Sequence, residues 1–144
     1  MNETIVTTPS ELEIRVERVF DAPRDHVFSV WTDPELIPEW WGDQTVVEEM
    51  DVRPGGKWRF NTRYGVVEGE FREVEPPVRL VQTFQNHLQT LEFEELGERT
   101  KLTQTMRFAT AEERDTTMQY GVEEGAKGGF ARVDAVLQKL AARR

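Results

Sequence analysis

The chain contains no cysteine, which excludes disulfides, a thiolate nucleophile and any cysteine-ligated metal. Its two histidines, His26 and His87, lie far apart in sequence, so a histidine-rich metal cluster is not expected and neither metal nor cofactor is assigned. No apolar run approaches the ~20 residues that cross a bilayer. Met1–Ser10 lacks the basic head and apolar stretch of a secretory signal, so a soluble, cytoplasmic protein without membrane insertion is expected. Positive charge is also scarce. With 18 Lys and Arg against 27 Asp and Glu the net charge is -9, which disfavours nucleic acid and anionic membranes as partners. There is no G-x-S-x-G, no H-E-x-x-H and no phosphate loop, and Gly125, Gly128 and Gly129 do not follow a strand in the dinucleotide pattern. The acidic pairs Glu48-Glu49, Glu94-Glu95, Glu112-Glu113 and Glu123-Glu124 read mostly as solvated, since neighbours along a strand point to opposite faces. No catalytic residue is assigned, and an enzyme is not the favoured reading.

What the sequence does have is one long amphipathic segment. From Gly121 to Arg143, Val122, Ala126, Phe130, Val133, Leu137 and Leu140 recur at spacings of three and four, which places them on one face of a helix long enough to cross a small domain. Glu124, Lys127, Arg132 and Lys139 take the other face. Gly129 falls within the apolar stripe and Gly125 at its margin, although glycine inside a helix costs about 1 kcal/mol relative to alanine. Two explanations stand. Either the missing side chains let the helix pack closely on a strand, or they leave a void beside it in which a ligand can sit.

Ahead of this helix the pattern is mainly of strands. Glu11 to Phe20 alternates, with Leu12, Ile14, Val16 and Phe20 on one face, and Arg18 breaks the apolar parity by snorkelling out or by reaching a carboxylate or ligand inside. Asp21 reads as a helix N-cap with Pro23 in the first turn and Val27, Phe28 and Trp31 at helical spacing. Asp33-Pro34-Glu35 starts a second, brief helix ending at Trp40-Trp41-Gly42. Three of the four tryptophans thus lie close together, as a packed cluster or as an aromatic wall for an apolar ligand. From Thr45 to Phe108 six strands with short links form an antiparallel meander, in which Arg53-Pro54-Gly55-Gly56, Pro76-Pro77 and Gly97-Glu98 mark breaks and Asn86-His87 a turn tip. Gln104 shares parity with Leu102 and Met106, and Gln82 with Leu80 and Phe84. A buried amide must be hydrogen-bonded, so each pairs with a neighbour or faces a cavity. Thr110 to Gln119 reads as a polar connection.

Phe20-Asp21-Ala22-Pro23, Val27-Phe28 with Trp31, Thr32-Asp33-Pro34-Glu35, Trp40-Trp41 and Asp51-Val52-Arg53-Pro54-Gly55-Gly56 closely resemble the START-like (SRPBCC) superfamily and, within it, the branch named after the activator of the heat-shock protein 90 ATPase. The resemblance continues through Gly69, Glu73-Val74, Pro76-Pro77, Arg79-Leu80, Thr83 and Thr100 to Leu102, and spans about Glu11 to Leu140. It implies an α+β helix-grip fold: a seven-stranded curved antiparallel sheet, in the order strand, two helices, six strands, helix, wrapped around the long C-terminal helix with a pocket between them. Residues 1–10 are then a flexible N-terminal arm and residues 11–144 a single START-like domain.

Three functions are compatible with this reading. The first is binding of a hydrophobic or amphipathic small molecule, lipid- or polyketide-like, between sheet and helix. Its expected wall is Trp31, Trp40, Trp58, Phe60, Phe71, Phe93, Met106 and Phe130, with Gln104 as a polar contact and Gly129 providing space. The alternatives are a co-chaperone-like activator with a heat-shock chaperone as partner, and an enzyme of cyclase or hydrolase type.

Overall fold

In the computed structural model, which describes residues 2–42, 44–85 and 87–142, the alternating segments pair into one curved antiparallel sheet. Its strands are β1 (Ile5–Ser10), β2 (Glu13–Phe20), β3 (Val46–Met50), β4 (Lys57–Thr62), β5 (Gly65–Glu75), β6 (Arg79–Phe84), β7 (His87–Leu96) and β8 (Arg99–Phe108). Two short helices, α1 (Arg24–Thr32) and α2 (Ile37–Trp41), follow β2, while α3 (Ala111–Gln119) and α4 (Val122–Ala142) follow β8. The spatial order β1-β2-β8-β7-β6-β5-β4-β3 makes β3 to β8 a meander whose last strand returns beside β2. This is the expected helix grip, with α4 lying along the hollow face.

Among the described residues the strand count is eight, not seven. Residues 5–10 are not a loose arm but an edge strand on β2, with Ile5 opposite Glu17, Val6 opposite Val16 and Thr7 opposite Arg15. The β-branched run Ile5-Val6-Thr7-Thr8 suits a pleated edge, Val6 packs on the core, and Pro9 sits where the register shifts between Thr7 and Ser10 and no ladder N–H is needed. Polar composition concealed this strand. Similarly, the connection after β8 is the helix α3, whose Thr110 side chain caps the Glu113 N–H at 3.1 Å. No residue of α3 is buried, so it carries no apolar periodicity by which to read it. Gly121, at φ 85, turns the chain from α3 into α4.

Two smaller expectations also change. The N-cap position of α1 is Pro23, not Asp21. The Asp21 carboxylate instead accepts from Arg99 Nε at 2.9 Å and from the Asn2 amide at 3.2 Å, and these hydrogen bonds, Arg99 first, hold its pKa below the ordinary carboxylate value. His87 opens β7 rather than sitting in a turn, while Asn86, the other half of the expected turn tip, and Arg143, the expected end of the last helix, lie outside the described residues.

The core sits between the hollow face of the sheet, α1 and the lower half of α4. Ile14, Phe20, Val27, Leu80, Leu91 and Leu102 are fully buried there, as are Phe130, Val133, Val136 and Leu137 from α4, or nearly so. Arg18 clips helix to sheet. Its guanidinium meets Asp134 of α4 with two bonds of 2.7 and 2.6 Å, so the inward parity of Arg18 ends on a carboxylate, and its head stacks 4.6 Å over the Phe20 ring. Arg132 Nε donates to the Trp40 carbonyl at 2.7 Å and Lys139 pairs with Glu39 at 3.1 Å, which fix α2 against α4.

Candidate binding cavity

The first half of α4 does not fill the sheet it crosses. Gly129 is buried, yet a Cβ built on it would meet no atom within 4 Å, and the same holds at the exposed Gly125. The space left is a cavity of about 290 Å³, near the lower end of the ~300–1,000 Å³ typical of small-molecule sites. Of the two explanations for these glycines, close packing is therefore excluded and the void remains.

Each layer contributes one part of the wall. Val122, Gly125, Ala126, Gly129 and Phe130 of α4 form one side, and Trp31, Ile37, Trp40 and Trp41 come from the two small helices. Trp58, Phe60, Phe71 and Phe84 line it from β4 to β6, and Met50, Val16 and Met106 close the remaining edges. The rings are in mutual contact. Trp31 and Trp40 lie 5.2 Å apart, Trp58 is 4.9 Å from Phe60 and 5.2 Å from Phe84, and Trp41 stacks on Phe84 at 5.8 Å with 16° between planes. Trp41, Met50, Phe84, Val122, Gly125 and Ala126 also reach solvent and mark the rim.

Local sequence explains why the floor curves. Gly69 stands opposite Trp58 in the β4–β5 ladder. A Cβ on it would overlap the Thr83 carbonyl oxygen and come 2.7 Å from Trp58 Nε1, so only glycine lets β5 press against β6 while the indole lies over it. Beyond this point the Glu70 N–H turns to the Thr83 hydroxyl at 2.8 Å instead of a regular backbone partner. Trp58 Nε1 is buried without a hydrogen-bond partner among the described residues.

Polar groups meet the cavity on one patch of the sheet. Gln82, Gln89 and Met106 are directly opposite one another across β6, β7 and β8, and Gln104 stands two residues from Met106 on the same face. Gln82 Nε2 donates to Gln89 Oε1 at 3.0 Å, and the Gln89 amide is 3.1 Å from His87 Nε2. The His87 ring lies between Phe84 and Phe108, and burial pushes its pKa down from 6.5 to about 4. The ring is thus neutral near pH 7. Its Nε2 lone pair accepts the Gln89 N–H, which orients the row. Among the described residues no Asp, Glu, Lys or Arg lines the cavity.

Nine of the ten residues expected at the site line this cavity: Trp31, Trp40, Trp58, Phe60, Phe71, Gln104, Met106, Gly129 and Phe130. The tenth, Phe93, is buried behind it, 5.3 Å from Phe28 and 6.0 Å from Trp31. Sequence reasoning missed Gln89 and Trp41 as lining residues. Gln89 shares parity with Leu91 and Phe93, but the strand is read only from Thr90, which cuts the signal off. Trp41 is indistinguishable from Trp40 until the α2 axis is known. Among the described residues no three His, Asp or Glu side chains are grouped to hold a metal ion, and no helix is long and apolar enough to cross a membrane.

An antiparallel sheet closed around a C-terminal helix, with an apolar hollow left between them, defines a helix-grip protein of the START-like type. The chain belongs to the family described as activator of Hsp90 ATPase homolog 1-like protein, whose model matches residues 21–139. A crystal structure of a Rhodobacter sphaeroides protein is similar to it with a TM-score of 0.86 and 22% identity, covering 96% of this chain and 99% of that one. Protein Ms6760 from Mycobacterium smegmatis gives 0.85 and 22% over the same shares, and CalU16 from Micromonospora echinospora gives 0.69 and 22% over 99% of this chain and 90% of that one. At these identities the likeness is one of fold. No curated protein matches the chain.

Proposed function

We propose that the protein binds a hydrophobic or amphipathic small molecule in the cavity between α4 and the sheet. The observation that carries this reading is Gly129: a buried helical position whose absent side chain faces open space. Core packing normally leaves few voids larger than a water molecule, and glycine there is costlier than alanine, so packing alone gives no reason for it. An aromatic lining with a few polar groups at one end is what an apolar ligand needs for burial and orientation. The test is a titration of the protein with an apolar fluorescent probe, read by tryptophan quenching. Saturation at one probe per chain is expected, because all four tryptophans line the cavity. Absence of saturable quenching across a broad panel of apolar probes would remove the reading.

The family description supports a second reading, a contact with a heat-shock chaperone, which would use the exterior and leave the cavity without a role. Stimulation of a chaperone's ATPase by the isolated chain, undiminished when the cavity is filled by Gly129→Leu, would favour it.

A further inference from the structure

The polar patch of the cavity has a direction. Gln82 gives its N–H to Gln89, and Gln89 gives its own to His87 Nε2. Read from His87 outward, each amide gives one of its two N–H groups to the neighbour behind it, so the row ends at Gln82 with its carbonyl oxygen unengaged among the described residues. Among the described residues no donor reaches that oxygen, nor is it among the buried atoms sealed from space without a partner. Gln82 itself lines the cavity. The row therefore presents an acceptor, held in place by two successive hydrogen bonds, to whatever occupies the space. Around it the wall is aromatic, with Trp58, Phe71 and Phe84 on strands β4, β5 and β6. It offers no charge of either sign, so an ion entering would lose its hydration without a counter-charge.

We propose that the cavity selects an uncharged, ring-containing molecule bearing a hydroxyl or N–H donor, with Gln82 Oε1 accepting that donor and Gln89 and His87 as positioning residues that aim it. The inference rests on the cavity being a ligand site. Within that reading it distinguishes three kinds of occupant that an apolar pocket would otherwise treat alike. A phenol or ring alcohol satisfies Gln82. An ether of the same shape leaves the carbonyl buried and unpaired. A carboxylate adds the cost of a buried charge.

Isothermal titration of the full chain near neutral pH with naphthol, methoxynaphthalene, naphthalene and naphthoate separates these cases. Naphthol is expected to bind about ten-fold more tightly than methoxynaphthalene, and naphthoate more weakly still by at least about ten-fold. In Gln82→Leu the preference for naphthol over naphthalene should vanish while naphthalene itself still binds. Because the ligand series is run first on the unaltered protein, the inference stays testable even if that variant does not fold. Equal affinity for naphthol and methoxynaphthalene, or naphthoate binding as tightly as naphthol, would overturn the inference and leave the binding function intact. Failure of all four to bind would overturn both.

Discussion

Gly129 and Gly125 occupy helical positions where a side chain has room. Alanine at Gly125 should stabilise the protein by about 0.5–1 kcal/mol in urea denaturation, through helix propensity and a stiffer unfolded chain. Leucine at Gly129 should leave stability unchanged or raise it by about 1 kcal/mol while abolishing probe binding, because its side chain would enter the cavity. Gly69 is the opposite case. There even alanine overlaps the Thr83 carbonyl, and a loss of at least about 2 kcal/mol is expected by the same measurement. His87 ties stability to pH. Its folded pKa of about 4 lies below the unfolded 6.5, so between these values the unfolded state binds more protons. The stabilisation is complete above about pH 6.5 and is lost as pH falls toward about 4. After allowing for solvent at the partly exposed ring, the difference should be about 1–2 kcal/mol, seen as a steeper acid slope of stability in the wild type than in His87→Gln.

Among the elements, α4 and the meander were legible because their apolar periods are strong. The stripe from Val122 to Leu140 describes the helix within a residue at its start, and alternation in β4, β5 and β8 assigns Trp58, Phe71 and Met106 to the inner face. Other elements were illegible for identifiable reasons. β1 is an edge strand with Val6 as its core contact, and α3 touches the core through the partly buried Met118, so neither leaves an apolar period in the sequence. Arg18 was readable as an anomaly but not as a clip, since Asp134 lies 116 residues away. Removing half of that clip should be costly, because the Arg18 side chain is only 10% exposed and would keep its charge without a counter-charge. Asp134→Ala is expected to lose about 2 kcal/mol, read from the urea midpoint at unchanged slope.

For the molecule as a whole, the cavity follows from a division of α4 into two halves. Its C-terminal half, with Val133, Val136 and Leu137, completes the core; its N-terminal half, with Gly125, Ala126 and Gly129, withholds side chains. The C-terminal half anchors the helix so that the N-terminal half can stand off the sheet without collapsing onto it. The ion pair at Arg18 and the bonds from Arg132 and Lys139 to α2 hold that spacing from two sides. The wall is aromatic because large rigid rings can frame a space without many rotamers to fill it. The central claim is that this space holds a small molecule. Native mass spectrometry of the wild type and of Gly129→Leu, each incubated with an apolar ring-containing probe, tests it most directly. One bound probe per chain in the wild type and none in the variant is the predicted result. The same occupancy in both, or none in either, would contradict it.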